Sequence, residues 1–474
     1  MSAWFGVALL PLTAVAMLAT GLPAFLVLIG AAGLGALWVQ ASGGDTALLA
    51  ALGARLVALL EGDLLQALPL FVIMGVLLNR LPLVEILFRT GCAIGRQGVL
   101  APRLSALAIG ALVAPMNGSV GASVSMLSRG VRPLLARHGV EPAERVALVA
   151  AASTLGVVIP PSLVLLFLGD AMMNAHSIAM RAIAGSDRVV NTQDIFRAAA
   201  APAALTMGLW ILIVALRARA PGVTAERNAL SLREALISAL VVTSVVLLLG
   251  GVAAGMFYAV EAAATGCAAL LAVGVLTRAL TLRVLAEVLR EALAVSGALF
   301  ALLAAATTFT LVMRVLGVDR LATDLLASAP GGPAAAAAAA LALMAVAALV
   351  LDAFEIVFVI VPIVMPGVLM RAPDAAWVAA LAVLTLQASF LSPPLGYAIM
   401  MTRATKTVSV STRAIAWEVA PFLMALIAVI LVTLAFPSIA HVFDRPETVK
   451  VGAPAPLPEK FDIPLPEAPP PEIK

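Results

Sequence analysis

Charged residues are scarce in this sequence. Asp, Glu, Lys and Arg make up 12% of its 474 residues, while hydrophobic residues make up 63%. Soluble domains carry about 25% charged residues. The low charge content and the mean hydropathy of +1.11 therefore exclude a soluble domain. It predicts an all-α polytopic membrane protein surrounded by membrane lipid. The net charge of +3 is small and its arginines are scattered, so no nucleic-acid partner is expected.

Cysteine, histidine and nucleotide-binding motifs are equally sparse. The two cysteines lie in apolar stretches, and the three histidines share no metal-ligand spacing. The chain contains no phosphate-binding glycine loop and no set of nucleophile, base and orienting residue. We therefore expect no enzyme, no cofactor and no ATP hydrolysis. Any transport would draw on an ion gradient or on a separate ATPase.

Apolar stretches long enough to cross a membrane recur along most of the chain. The basic segment 217–233 divides them into two halves of similar length, 1–216 and 234–440. Its arginines favour a cytoplasmic location. The segment 441–474 is rich in proline, so we expect a disordered or polyproline II tail.

Two Pro-Pro pairs, Pro160-Pro161 and Pro393-Pro394, interrupt apolar runs at corresponding positions. We name the number of residues that separates the two pairs the repeat offset. The same offset maps the polar break 117–119 onto 350–352. A proline inside a helix removes a backbone donor, and lipid offers no water to replace the lost bond. Interrupted segments in corresponding halves are typical of a transporter's binding site near the middle of the membrane. A pair of Pro-kinked packing helices is the structural alternative.

Small polar residues surround both breaks. Their oxygens suit a hard cation such as sodium, bound mainly through backbone carbonyls, Ser119 and Asp352. A small-residue helix interface would explain the first set without a ligand. In the first half we assign to a sodium or substrate site Asn117, Gly118, Ser119, Ser123, Thr154, Gly156, Pro160 and Pro161. In the second half we assign Thr307, Thr308, Asp352, Glu355, Ser389, Leu391, Ser392, Pro393 and Pro394.

Two carboxylates stand in an otherwise apolar run of the second half. Carboxylates within a membrane are costly and are usually functional. Asp352 coincides with the repeated break, which favours a cation ligand or its direct support. Glu355 is three residues away and would share its helix face, and both protonation and pairing with Arg314 or Arg403 are open. The hydroxyls of Thr307 and Thr308 suit either ligands or ordinary bonds to helix carbonyls.

Four motifs resemble the large membrane subunit of tripartite ATP-independent periplasmic (TRAP) transporters, the DctM type. They are "STLGVVIPPS", "LDAFEIVFVIVPIVMP", "FLSPPLGYAIMM" and "EAAATGCAALLA". The resemblance covers roughly residues 5–440. Glu355 and the long 174–195 loop resemble the branch labelled mannitol/chloroaromatic.

The resemblance implies a fold of two inverted repeats with re-entrant helical hairpins and an elevator mechanism. It implies a sodium-coupled secondary transporter of the bacterial inner membrane that imports an organic acid. The implied partners are a small four-helix DctQ-type membrane subunit and a periplasmic DctP-type solute-binding protein. The family's hairpin break falls on Gly118 and Ser119, its buried aspartate on Asp352, and its second tip on 391–394.

Three other functions are compatible with parts of the pattern. A stand-alone sodium/carboxylate symporter of the same superfamily would share the repeats and the cation sites but need no binding protein. A membrane channel could also be built from broken hairpins. An intramembrane enzyme would use Asp352 and Glu355 as an acid pair, but no second catalytic carboxylate element accompanies them.

Overall fold

The computed structural model describes residues 2–43, 47–95, 98–117, 119–183, 190–217, 231–328, 330–404 and 410–444. Most of the predicted connector 217–233, the tail from residue 445 and the predicted site residue Gly118 lie outside these ranges. Within them the chain contains helices and no β-strand. Residues 1–443 form one compact unit, so the two predicted halves pack against each other.

The first half, 1–216, begins with four helices. They are α1 (Ser2–Thr20), α2 (Ala24–Ala41), α3 (Ala47–Ala50) and α4 (Leu52–Leu60). Gly21, in the left-handed backbone region with φ +64°, separates the first two. Phe5 and Trp38 stack at a ring-centroid distance of 4.4 Å and join them.

Seven further helices and a single helical turn complete the first half. The helices are α5 (Asp63–Arg80), α6 (Leu83–Ile94), α7 (Ala101–Val113), α8 (Val120–Arg137), α9 (Pro142–Val158), α10 (Leu163–Ile183) and α11 (Thr192–Arg217). A 3₁₀ turn, Ala114–Met116, follows α7. The expectation of a long loop over 174–195 is wrong, because α10 continues to Ile183 and α11 begins at Thr192. Helices α12 (Leu232–Ala253) and α13 (Ala259–Leu276) follow.

After α12 and α13, the second half repeats the order of α5–α11. Its remaining helices are α14 (Leu282–Leu316), α15 (Val318–Ser328), α16 (Pro333–Ala347), α17 (Ala353–Glu355), α18 (Val361–Arg371), α19 (Ala375–Phe390), α20 (Tyr397–Ala404) and α21 (Thr412–Ala435). A π-helical stretch, Ile356–Ile360, joins α17 to α18, and a final 3₁₀ turn spans Pro437–His441. The starts of α8 and α17 are separated by the repeat offset, as are those of α9 and α19. The order of these helices along the chain thus follows the repeat offset of the proline pairs.

Nine of the described helical segments are long and apolar enough to cross a membrane, or ten if the bent pair α4 and α5 counts as one span. Helices α7 and α16 are shorter, at 13 and 15 residues. At 1.5 Å per residue they reach roughly 20–23 Å, less than the ~30 Å hydrocarbon core. Each packs against the helix after its break, α7 on α8 and α16 on α18. We name these the first hairpin (101–137) and the second hairpin (333–371).

Candidate functional site

The break in the first hairpin is a helix cap inside the protein. The Ser119 hydroxyl accepts a hydrogen bond from the backbone N–H of Ala122 at 3.1 Å, which starts α8. The Ser123 hydroxyl donates to the Ser119 carbonyl at 3.1 Å, and Asn117 Nδ2 donates to Ser123 Oγ at 3.3 Å. The structure thus brings three predicted site residues into one polar cluster.

The break in the second hairpin is capped in the corresponding way. Asp352, the repeat equivalent of Ser119, accepts a hydrogen bond from Ala353 N at 2.8 Å. Glu355 Oε2 in turn accepts one from Asp352 N at 3.0 Å. Asp352 is therefore the N-cap of α17 and Glu355 its third residue, and together they form a capping box. Of the open pairings, neither forms, since Glu355 has no ion pair within the described residues.

The first hairpin meets α9 through backbone contact at Gly156. A Cβ on Gly156 would lie 2.5 Å from the carbonyl oxygen of Ala114, in the 3₁₀ turn that follows α7. Only glycine permits this approach. A small cavity of about 10 Å³ remains beside it, lined by Ser119, Ser123, Ser153 and Gly156. Oxygen atoms and space for a single water molecule suit a small hard cation.

The hydroxyl side chains beside the two Pro-Pro breaks bond to helix carbonyls, with Thr154 and Ser389 buried and Ser392 half-buried. Thr154 donates to Ala151 O and Ser392 to Ala388 O, each at 2.8 Å, and Ser389 donates to Thr385 O at 2.9 Å. Leu391 is fully buried at the end of α19. Both bonds Pro160-Pro161 and Pro393-Pro394 are cis.

Each hairpin packs against the helix that follows the other half's Pro-Pro break. A Cβ on Gly121 of the first hairpin would lie 2.8 Å from the Tyr397 hydroxyl on α20. On the other side, the ring of Phe167 on α10 meets those of Phe354 and Phe358 in the second hairpin, at centroid distances of 6.0 and 5.1 Å. The two halves therefore make the same kind of contact in both directions.

The two halves also touch at equivalent residues. Gln387 Nε2 donates to Thr154 Oγ1 at 3.5 Å, and these two residues are separated by the repeat offset. Both side chains are fully buried. The crossing of α9 and α19 is therefore a place where corresponding positions of the two halves meet.

A larger cavity of about 590 Å³ lies between α4, α5, α10, α14 and the second hairpin. Its polar lining includes the predicted residue Thr307, with Thr310 and Arg314 on the same helix. Thr308 donates to Ala304 O at 2.8 Å and is absent from the lining. Arg55 and Asp170 also line it. The volume falls in the range of ~300–1,000 Å³ that is usual for small-molecule sites.

Comparison with known proteins identifies the family. The model of the tripartite ATP-independent periplasmic transporter, DctM component, matches residues 12–439. The chain belongs to this family. The resemblance of the four motifs is thereby confirmed, and the chain is a TRAP large permease subunit. Its family is one of transporter permeases, which are not enzymes.

Two curated relatives are similar to this DctM protein. The sialic acid TRAP transporter permease SiaT of Haemophilus influenzae is 24% identical over 81% of the chain, and the match covers 60% of SiaT's length. The ectoine/5-hydroxyectoine TRAP transporter large permease UehC of Ruegeria pomeroyi is 25% identical over 90% of the chain and 96% of UehC.

The fold is also similar to that of a solved transporter structure. The YdaH transporter of Alcanivorax borkumensis superposes with a TM-score of 0.57 at 15% identity, covering 84% of this chain and 89% of YdaH. Together with the apolar helices, family membership places this DctM protein in the inner membrane as a multi-pass protein.

Sequence reasoning did not find three residues of this region. Arg55 and Asp170 line the larger cavity, and Gln387 lies fully buried where α9 and α19 cross. The repeat offset from Thr154 does point to Gln387. For Arg55 and Asp170 the sequence holds no comparable signal, because they lie outside both breaks. Their repeat equivalents, Val288 and Arg403, do not share their charge.

Proposed function

We propose that this DctM protein imports an organic acid by sodium-coupled secondary transport, with substrate delivered by a periplasmic solute-binding protein. The observation that carries the proposal is the presence of two capped helix breaks that are related by the repeat. Discontinuous helices place positive helix N-termini and unpaired carbonyls near the middle of the membrane, where the first attract anions and the second bind cations.

Sodium is the coupling ion that the site chemistry favours. The first break offers the hydroxyls of Ser119 and Ser123 and the carbonyl of Ala114 around a cavity of one-water size. Hard monovalent cations prefer such oxygen ligands. Asp352 occupies the equivalent position in the second break and adds a negative charge there. No cofactor is required beyond the coupling ions.

Reciprocal packing supports a mechanism based on two inverted repeats. Two similar units related by a two-fold axis are expected to make each contact twice, once from each unit to the other. They are also expected to meet at equivalent residues, as Thr154 and Gln387 do. In secondary transporters, one set of broken helices moves against a fixed remainder and exposes the site to alternate sides. We assign the hairpins with α9, α10, α19 and α20 to the moving part, and the long α14 to the fixed part.

Membership of the TRAP family supports two partners, a small DctQ-type membrane subunit and a DctP-type binding protein. An organic-acid substrate is supported by the two arginines in the larger cavity, Arg55 and Arg314, because guanidinium groups bind carboxylates strongly. Sialic acid, named for the relative SiaT, also carries a carboxylate.

Uptake into proteoliposomes tests the proposal. Vesicles containing this chain and its small partner are given radiolabelled organic acids under an inward sodium gradient, with and without purified binding protein. Accumulation that needs both sodium and the binding protein is expected. Accumulation with sodium alone would make the chain a stand-alone symporter. Flux that does not saturate and is independent of sodium would indicate a channel.

A further inference from the structure

The larger cavity carries charges of both signs on different walls. Asp170 projects from α10, which packs against the second hairpin, while Arg314 projects from α14, which packs against α4 and its Arg55. A site for simple carboxylates needs the arginines only. A half-buried carboxylate in the same cavity would repel such a ligand and therefore needs its own explanation.

These charges do not neutralise one another. Among the residues that the structure describes, Arg55 and Asp170 form no ion pair, and Asn174 Nδ2 is the only side-chain partner of Asp170, at 3.4 Å. Arg314 reaches Asp319 at 3.6 Å, with both side chains about one-third exposed. A pair this long and exposed is weak. The cavity thus keeps an acidic group and two basic groups available for a ligand.

Aromatic rings accompany the acidic group. Phe167 precedes Asp170 by three residues, so both lie on the same face of α10. Phe358 also lines the cavity and meets Phe167 edge to face. A carboxylate beside aromatic faces suits an organic ammonium or amidinium group, since ring faces attract poorly hydrated cations.

We propose that the cavity selects zwitterionic organic acids, whose carboxylate is bound by Arg55 and Arg314 and whose cationic nitrogen is bound by Asp170, Phe167 and Phe358. This inference rests on the proposed transport function and names its substrate class. A dicarboxylate would place its second negative charge against Asp170. A zwitterion satisfies both walls at once.

Two isosteric acids test the inference directly. Glycine betaine and 3,3-dimethylbutanoate have nearly the same shape, but only the first carries a positive charge. Each, and succinate, is titrated into the purified full-length protein in sodium buffer, and the thermal unfolding midpoint is followed. We expect glycine betaine to half-saturate the shift of the midpoint at a concentration about tenfold lower than 3,3-dimethylbutanoate does. This is the effect expected of one desolvated cation in contact with aromatic rings and a carboxylate.

Variants assign the effect to the residues. Asp170→Asn keeps the shape and removes the charge, and it should abolish the tenfold preference. Asp324→Asn, an exposed carboxylate on α15 outside the cavity, should leave the preference unchanged. Arg314→Gln should weaken both ligands alike, because both carry the carboxylate.

The inference is overturned if both isosteres bind equally well, or if the preference survives in Asp170→Asn. The proposed function is tested separately by sodium-driven uptake. If simple acids are accumulated with sodium but zwitterions are not preferred, the transport proposal is supported and the zwitterionic substrate class is contradicted. If no acid is accumulated with sodium, the proposed function falls.

Discussion

Asp352 carries a carboxylate where its repeat equivalent Ser119 carries a hydroxyl. Both cap the first turn of a helix at a break inside the protein. A cap needs only an acceptor oxygen, and Ser, Asn and Asp serve about equally well. Capping therefore does not explain why the second break carries a charge. The proposed coupling to a cation would explain the charge.

Asp352→Asn separates the two roles of this residue. The amide oxygen still caps α17, so the thermal unfolding midpoint should change little, whereas Asp352→Ala would also lose about 1 kcal/mol of capping. We expect Asp352→Asn to lose sodium-driven uptake at least tenfold because the site loses its negative charge. The loss is measured as the rate of uptake into proteoliposomes at several sodium concentrations.

Asp374→Asn is the matched control for that substitution. Asp374 caps α19 by accepting from Trp377 N at 3.0 Å, at the opposite end of the helix from the second Pro-Pro break. Its replacement should leave sodium dependence unchanged. Normal sodium dependence in Asp352→Asn would remove Asp352 from the cation site.

At the residue scale, the sequence reveals polar groups that stand alone in apolar runs. Asp352 is visible for that reason, and Ser119 follows from it through the repeat offset. Asp170 is not visible, because it is soon followed by Asn174 and the polar segment that suggested a loop. Its role depends on α14, which lies in the other half of the chain and whose position no local pattern supplies.

At the element scale, the contact between α7 and α9 positions the carbonyls of the first break. It depends on Gly156 of α9, whose backbone touches the carbonyl of Ala114 in the 3₁₀ turn that follows α7. The same helices are joined at their other ends by Arg103, a buried side chain whose Nη2 donates to Glu144 at 2.9 Å. The first hairpin is therefore attached to α9 at two places, near the start of α7 and just after its end.

Gly156→Ala should separate the hairpin from α9. The added methyl group would overlap the Ala114 carbonyl and force a backbone shift, at a cost of about 1–3 kcal/mol. We expect a lower unfolding midpoint and a loss of uptake, because the Ala114 carbonyl moves with the arm. Thermal unfolding and sodium-driven uptake are measured on the same preparation.

Gly208→Ala on α11 gives the control, since nothing lies within 4 Å of a Cβ there. Alanine has the higher helix propensity, so its unfolding midpoint should stay the same or rise. If Gly156→Ala behaved like Gly208→Ala, the close approach of α7 and α9 would not matter for the site.

The positions of the breaks were predictable at this scale, but the lengths of the helices before them, α7 and α16, were not. The proline pairs located both the interruptions and the repeat offset, which the starts of α8, α9, α17 and α19 reproduce. Hydropathy alone does not distinguish a short arm such as α7 from part of a full span, because both are equally apolar.

At the scale of the whole molecule, the proposed elevator mechanism requires the second hairpin to move past α14. Thr307 on α14 and Phe358 in the second hairpin line the same cavity from these two sides. A link between them would fix the cavity in one state. Links within the part that does not move should have no effect on transport.

Thr307→Cys with Phe358→Cys, in a background with Cys92 and Cys267 replaced by alanine, tests this motion. A short bifunctional thiol reagent should abolish sodium-driven uptake by this pair, and cleavage of the reagent should restore it. Comparison with the untreated pair separates the effect of the link from that of the substitutions.

Phe5→Cys with Trp38→Cys provides the contrasting link. These stacked residues join α1 to α2, and α2 packs against α14, so we assign all three to the fixed part. Their cross-link should leave uptake intact, because no relative motion is required between them. Full uptake by the linked Thr307–Phe358 pair would contradict a moving hairpin, and transport would then have to proceed through local opening of the breaks alone.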